Sequence, residues 1–493
     1  MYTLAVILTF LNSFAFFGLI YLKTHVGMVS VDEIIYHLKV PLAGTANVMV
    51  LSLIGFLVVL PLLTTLIAAF ILKRLHVDFR LKTKKKDIHY ASDKIATRVF
   101  VVFALVALVA QLIFADHKLG VTDYIANQLE DSPFIEDHYV DPEKTEIEFP
   151  EKKRNLIHIY LESMEGTFFD KTNNGYQKES LIPELQQLAQ ENTNFSHTSG
   201  LGGAMGSFGV SWTMAALVSS TAGIPMKLPV MENFGTYTSS LLQKTYTLGN
   251  ILEKEGYKNV FMAGSDATFG GRKVYYQGHG NYEIKDLFTA YKDGIVEDGY
   301  YNFWGFEDSY LFNYAKKELT ELAKSDQPFN FEVLTVNSHF PDGLVEKDCD
   351  TSKYSDSYTN AVRCSSKYVS AFVKWIQEQD FYENTTIIIS GDHLSMANNP
   401  ILGDDNYPRN VYNVIINSAI KNPDQKVTKN RLFTTMDFFP TALAAIGAKI
   451  DGDKLGLGVN LYSGQPTLAE ELGLDVLNDE LIKRSNFYTN KFI

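Results

Sequence analysis

The sequence predicts an α/β protein in which a mostly parallel sheet flanked by helices follows three transmembrane helices. Long apolar runs are confined to the first 115 residues. From Asn155 onward, short β-rich apolar runs alternate with amphipathic stretches. Several of those short runs also end in a carboxylate or an imidazole.

The apolar runs are Leu4–Leu22, Val48–Leu72 and Val99–Ala115. A bilayer crossing takes about 20 apolar residues. The third run is the shortest, but nothing around it offers a core in which to bury it. The connection between the second and third runs carries Lys73, Arg74, Arg80, Lys82, Lys84, Lys85, Lys86, Lys94 and Arg98, whereas the first connection carries little beyond Lys39. Positive charge stays on the cytoplasmic side, so everything after Ala115 is expected outside. The first run lacks a basic n-region and a small-residue cleavage site and is expected to stay as an anchor.

A chain of 493 residues has room for two or three domains. Its net charge of −13 argues against a nucleic-acid partner, which would call for a basic face; the acidity is read as solubility. The two cysteines, Cys349 and Cys364, follow the last apolar run. Thiols this close in sequence on the outer side are read as one disulfide; two free thiols are the alternative.

Strands are predicted at Leu156–Leu161, Asn259–Ala263, Phe331–Val336, Thr386–Ser390 and Val411–Ile416. Helical patterns lie at Leu181–Gln190, Ser239–Glu255 and Ser365–Glu378. Such alternation points to a mostly parallel sheet covered on both faces, with its ligand site beyond the carboxyl ends of the strands. Glu162 follows the first strand, His339 the third, and Asp392 and His393 the fourth. Carboxylates and imidazoles are the usual ligands of Zn²⁺ or Mn²⁺, so their recurrence at strand ends predicts a shared metal site. Glycine-rich sequence from Gly200 to Gly209 leads into an Ala/Leu/Met helix that places Ser211 and Thr213 near its start. Free amides and the helix dipole favour an anion there. A hydroxyl becomes a useful nucleophile when a metal or base activates it; the alternative is that Thr213 only caps the helix.

From about Phe134 to Gly464 the chain resembles the alkaline phosphatase/sulfatase superfamily, and within it the phosphoglycerol transferase I / lipoteichoic acid synthase-like family. The resemblance rests on Asn155-Leu-Ile-His-Ile-Tyr-Leu-Glu-Ser163, Ser211-Trp-Thr213, Asn337-Ser-His339, Gly391-Asp-His-Leu394 and Met436-Asp-Phe-Phe-Pro-Thr-Ala-Leu443. It implies one catalytic divalent metal, commonly Mn²⁺ with Zn²⁺ or Mg²⁺ as alternatives, held by Glu162, Thr213, Asp392 and His393. It also implies that Arg272 and His339 position the phosphoglycerol head group, with His279 in Gly278-His-Gly280 as a further candidate. Sulfatases need a Cys/Ser-x-Pro-x-Arg context that Ser211–Val218 lacks, so sulfatase activity is not expected.

The implied plan is a membrane domain at 1–115, a periplasmic connector at 116–153, a sulfatase-like catalytic domain at 154–465 and a C-terminal tail at 466–493. The implied reaction moves glycerophosphate from phosphatidylglycerol to a periplasmic glucan or similar glycan through a phosphothreonine at Thr213, with His339 handling protons. This would take place at the inner membrane, with the catalytic domain on the periplasmic side. Rival readings are a phosphoethanolamine transferase, a phosphodiesterase and a non-catalytic membrane sensor that keeps the fold.

Overall fold

The computed structural model describes residues 1–27, 30–40, 44–45, 47–74, 78–83, 86–91, 93–228, 240–404 and 406–493. Lys84 and Lys85 of the basic connection, and Ser239 at the start of a predicted helix, lie outside them. The chain divides into two compact units: Met1–Val31 with Thr45–Ile125, and Asp32–Gly44 with Ala126–Ile493.

In the first unit, Tyr2–His25, Met49–Arg74 and Ala96–Leu119 are helices long and apolar enough to cross a membrane. Leu51, Leu66, Phe103 and Ile113 are exposed on them, as suits helices whose solvent is lipid. Side-chain hydrogen bonds to neighbouring helices link them: Asn12 Nδ2 donates to the Ala104 carbonyl at 2.9 Å, and Thr64 Oγ1 to Ser13 Oγ at 2.9 Å. The third helix extends well beyond the predicted Val99–Ala115. The basic connection forms an antiparallel pair, Asp78–Thr83 with Lys86–Ala91.

The second unit is built on a six-stranded sheet. In chain order its strands are β1 (Asn155–Leu161), β2 (Lys258–Ala263), β3 (Glu283–Lys285), β4 (Phe329–Leu334), β5 (Thr385–Gly391) and β6 (Asn413–Ile416). They lie side by side as β6-β5-β1-β4-β2-β3. All neighbours are parallel except β6, which runs antiparallel to β5. The period of two explains why β1 is buried throughout. Ile157, Ile159 and Leu161 face one layer, with Leu185, Leu319, Phe372 and Val373. Leu156 and Tyr160 face the other, with Leu443 and Met214 respectively. The helices Pro183–Glu191, Asp308–Leu322 and Ser357–Gln377 form the first layer; Thr213–Ala222 and Phe438–Ala445 pack together in the second.

Three sequence expectations change. The predicted strand Val411–Ile416 is two strands: Asn410–Val411 pairs with Ala204–Met205, and only Asn413–Ile416 joins the main sheet. The predicted helix Ser239–Glu255 is confined to Leu248–Lys254, where Thr247 and Asn250 form a capping box that sets its start. The edge strand β3 was not anticipated; it is three residues long and carries Glu283, paired with Lys258 at 2.8 Å, and Lys285, paired with Glu318 at 3.1 Å. The opposite edge, β6, is covered by Thr193, which exchanges both main-chain hydrogen bonds with Ile415.

Cys349 and Cys364 are disulfide-bonded, S–S 2.05 Å, which joins the segment after Asn337-Ser-His339 to the helix Ser357–Gln377. Residues 466–493 form the short helices Leu468–Leu472, Leu474–Ile482 and Asn486–Phe492. They bury Leu477, Leu481 and Phe492 in the same core as Met214 and Leu217.

Asp437, in the Met436-Asp-Phe-Phe-Pro motif, accepts amide hydrogens from Thr434 and Val459 at 2.8 Å each. Burial pushes its carboxyl up to about 7 against those two hydrogen bonds. A folded-state value above the unfolded one means the native state holds the proton longer. The contribution is therefore fully present below about pH 4 and is lost as pH rises toward 7. Denaturation midpoints of Asp437→Asn between pH 4.5 and 7.5 are expected to fall less steeply than those of the wild type. Equal slopes would show that Asp437 is not a source of that dependence.

Candidate active site

The carboxyl ends of β1 and β5, adjacent and parallel, place Glu162 and Asp392 side by side. The turn after β1 puts Ser163 at φ +53°, an uncommon backbone state for a residue with a side chain. That turn aims the Ser163 amide at Asp392 Oδ1, 2.8 Å away, and the His393 amide reaches the same oxygen at 2.8 Å. Asp392 Oδ2 is left buried with no hydrogen bond, 3.5 Å from His393 Nε2. Glu162 is held by its main chain from the β4 side: its amide donates to Thr335 Oγ1 at 3.0 Å and its carbonyl accepts from Ser338 Oγ at 2.6 Å.

His393 donates Nδ1–H to the Leu394 carbonyl at 2.8 Å, since a carbonyl can only accept. Its Nε2 lone pair therefore faces Glu162 Oε1 at 3.6 Å and Asp392 Oδ2. Ligand atoms of Glu162, Asp392 and His393 all lie within 4.8 Å of one another, and all three side chains are buried. Buried carboxylates this close repel. Burial and the Glu162 charge push Asp392 up to about 7. On His393, burial opposes protonation, but the carboxylates of Asp392 and Glu162 outweigh it and raise the pKa. Two carboxylates, one correctly oriented imidazole and a buried acceptor without a hydrogen bond fit a small divalent cation.

Thr213 is the first residue of the helix Thr213–Ala222, after Trp212 in extended conformation. Its Oγ1 makes no cap; it donates to Glu162 Oε2 at 3.3 Å and contacts His393 Nε2 at 3.4 Å. Among the described residues it is the hydroxyl that meets both. Ser207 Oγ, by contrast, is buried with no hydrogen-bond partner.

Arg272 and His339 approach from β2 and β4. Arg272 is 6% exposed and donates from Nε to the Phe269 carbonyl at 3.1 Å and from Nη2 to the Asp266 carbonyl at 2.8 Å. Burial lowers its pKa, while Asp266, Glu162 and Tyr36 favour the charge. His339 donates Nδ1–H to the Phe340 carbonyl at 2.8 Å, which leaves Nε2 with its lone pair. Burial lowers its pKa against the attraction of Glu162, and His393 and Arg272 also act on it. His279 is placed differently: its Nδ1 lies 2.7 Å from the Tyr275 carbonyl and its Nε2 2.8 Å from that of Leu242, so both ring nitrogens are engaged by main chain.

Several supports were not found from sequence. Asp308 accepts the amides of Val336 and Asn337 and so shapes the turn that presents His339. Trp304 packs on His339 with ring centroids 4.7 Å apart; two of the chain's 3 tryptophans, Trp212 and Trp304, flank the cluster, a usable signal. Glu165, fully buried, accepts from Arg409 Nε at 3.0 Å, from Arg409 Nη2, and from the Ser395 amide at 2.7 Å. No local pattern links Glu165 to Arg409, which lies 244 positions on.

The sulfatase family model matches residues 154–448. Phosphoglycerol transferase I of Escherichia coli (strain 55989 / EAEC) is 34% identical over 355 residues, 70% of this chain and 43% of that relative. The protein of the same name from Shigella flexneri matches to the same extent. The chain thus spans less than half the length of these curated relatives. Among solved structures, lipoteichoic acid synthase LtaP from Listeria monocytogenes superposes with a TM-score of 0.51 at 19% identity, covering 68% of this chain and 82% of that one.

The two-pronged Glu165–Arg409 pair fastens the turn after β1 to the start of Asn410–Val411, and the Ser395 amide on Glu165 ties in the turn after β5. Removing one partner strands a buried charge, which costs about 3–5 kcal/mol. Arg409→Ala, which strands the fully buried Glu165, is expected to lower unfolding free energy by about that amount in denaturant titrations. A loss under about 1 kcal/mol, the range of a surface pair, would show that the bridge does not hold the site together.

Proposed function

The chain belongs to the sulfatase family, and we propose that within it this protein is a membrane-anchored phosphoglycerol transferase. It moves glycerophosphate from phosphatidylglycerol to a periplasmic glucan or similar glycan through a phosphothreonine at Thr213. The observation that carries this reading is the Thr213 hydroxyl at the start of a helix, within 3.4 Å of both Glu162 and His393. The 34% identity to phosphoglycerol transferase I supports the donor and the transferred group. The absence of a Cys/Ser-x-Pro-x-Arg context at Ser211–Val218 sets aside sulfate-ester hydrolysis.

Glu162, Asp392 and His393, with Thr213, would hold one divalent ion, Mn²⁺ first and Zn²⁺ or Mg²⁺ as alternatives. Bound there, the ion would favour the Thr213 alkoxide and offset charge on the phosphoryl oxygens. Thr213 Oγ1 gives up its proton, which His339 Nε2 takes, and forms the bond to phosphorus as the bond to the diacylglycerol oxygen breaks; His339 Nε2 then returns that proton to the leaving oxygen. A glycan hydroxyl then attacks the phosphothreonine and gives its proton to His339, which passes it to Thr213 Oγ1 as the bond from that oxygen to phosphorus breaks. Arg272 binds phosphoryl oxygens throughout, and the amides at the start of Thr213–Ala222 add to the stabilisation. The anchor keeps the enzyme at the surface where its lipid donor lies, which raises the donor's effective concentration.

The basic Asp78–Ala91 connection is placed in the cytoplasm and the catalytic unit in the periplasm. Grouping of Asp32–Gly44 with the catalytic unit supports this, since the loop between the first two spans then shares its side. A reporter fused after Ile493 is expected to be active only as a periplasmic reporter; cytoplasmic activity at that junction would reverse the topology.

Thr213→Ala is expected to fold and to lose turnover by several orders of magnitude, whereas Ser211→Ala retains measurable activity. With glycerol-labelled phosphatidylglycerol and no acceptor, mass spectrometry of the wild type is expected to find the adduct on the Thr213 peptide. An adduct on Ser211 or Ser207 would displace Thr213 from this role. Asp392→Ala is expected to abolish bound metal; full occupancy in that variant would mean that the ion sits elsewhere.

A further inference from the structure

The helix Val31–Lys39 belongs in sequence to the loop between the first two apolar helices, yet residues 32–44 group with the catalytic unit. Tyr36 is its most deeply packed aromatic, 1% exposed. Its hydroxyl donates to the Gly270 carbonyl, and its ring lies against Trp212, centroids 5.4 Å apart. Those two contacts fall one residue before Thr213 and two before Arg272. At the other end of the segment Gly44, at φ +83°, closes on the same loop: a β-carbon there would stand 2.8 Å from the Phe269 amide nitrogen and 2.9 Å from Asp266 Oδ2.

The loop so gripped has an unusual backbone. Gly270 and Gly271 both have positive φ, +62° and +73°, immediately before Arg272. Two successive left-handed residues give a turn with little intrinsic preference for one geometry. Among the described residues, Arg272 donates its hydrogen bonds to carbonyls of that same loop, those of Phe269 and Asp266. The guanidinium therefore goes wherever the loop goes; Asp286 Oδ2 holds the loop's near end through the Ala267 amide at 3.3 Å, and the buried Tyr36 hydroxyl holds the glycine pair next to Arg272.

We propose that Tyr36 is a positioning residue for the phosphoryl site: through Gly270 it sets where Arg272 meets the anionic substrate, and Gly44 permits the same docking. The segment between the first two spans is thus a wall of the active site. This rests on the reading of Arg272 as a phosphate-binding group and adds to it the element that orients it.

The test uses the full chain in detergent, loaded with Mn²⁺, and two readouts. One is the affinity for sn-glycerol 1-phosphate by calorimetry; the other is diacylglycerol release from phosphatidylglycerol micelles. Tyr36→Phe keeps the ring and removes the hydroxyl, so Kd and KM are expected to rise about tenfold while kcat changes by less than about threefold. Gly44→Ala, at a different point, is expected to raise the same two constants. In an Arg272→Lys background Tyr36→Phe is expected to add little, since both changes act on one contact. Unchanged Kd and KM in Tyr36→Phe, or a full additional loss in the Arg272→Lys background, would overturn the proposal. A wild type that binds glycerophosphate with the predicted Tyr36 dependence but releases no diacylglycerol would overturn the transferase reading and leave the positioning role standing.

Discussion

The site depends on one shared acceptor, Asp392 Oδ1. It takes the amide of Ser163 from the turn after β1 and the amide of His393 from its own turn after β5. These two bonds fasten adjacent parallel strands at their carboxyl ends and leave Asp392 Oδ2 facing Glu162 and His393. The cost is visible in the backbone, with Ser163 held at positive φ. Strain of this kind persists where surrounding contacts over-determine it, and here those contacts are the bridge from Arg409 to the buried Glu165 and the Thr335 and Ser338 hydroxyls on the Glu162 main chain. The cluster is therefore a property of the sheet rather than of its loops, as preorganised electrostatic sites require.

Much of this was legible in the sequence because parallel strands covered on both faces must be apolar throughout. β1, β2, β4 and β5 stand within a residue or two of their predicted limits, and the chemistry-bearing residues follow their ends. The residues that escaped prediction are those whose reason for being is distant. The direction of β6 is set by pairing with β5, and no periodicity encodes orientation. β3 is too short for any pattern to register. The helix at Leu248 is shorter than the predicted Ser239–Glu255 because the Thr247–Asn250 capping box starts it there, and amphipathic spacing upstream does not register a cap.

The candidate site divides along the same line. Glu162, Asp392 and His393 were found because each adjoins a strand, and Thr213 because it opens a helix. Arg272 and His339 came from resemblance, and the geometry gives each a physical reason: one is a buried guanidinium held by its own loop, the other an imidazole oriented by a carbonyl. His279 carried a similar signal, a histidine between glycines, yet its nitrogens serve main-chain carbonyls. Tyr36 was invisible for another reason. It lies between two long apolar helices in the sequence and beside residues of the candidate site in the fold, so reading the chain in domain order separates it from what it touches.

The two margins of the sheet have a consequence for life at high concentration. A parallel sheet ends in strands with unpaired amides and carbonyls, a template on which a second chain can grow. Here β3 offers only three residues, flanked by ion pairs to Lys258 and Glu318, and β6 is already matched by Thr193. Among the described residues, neither border of the six-stranded sheet presents a long, flat, apolar ladder on which a further strand could add. In a chain with three helices long and apolar enough to cross a membrane, short, charged or covered borders leave little open ladder for strand addition between copies held in one plane.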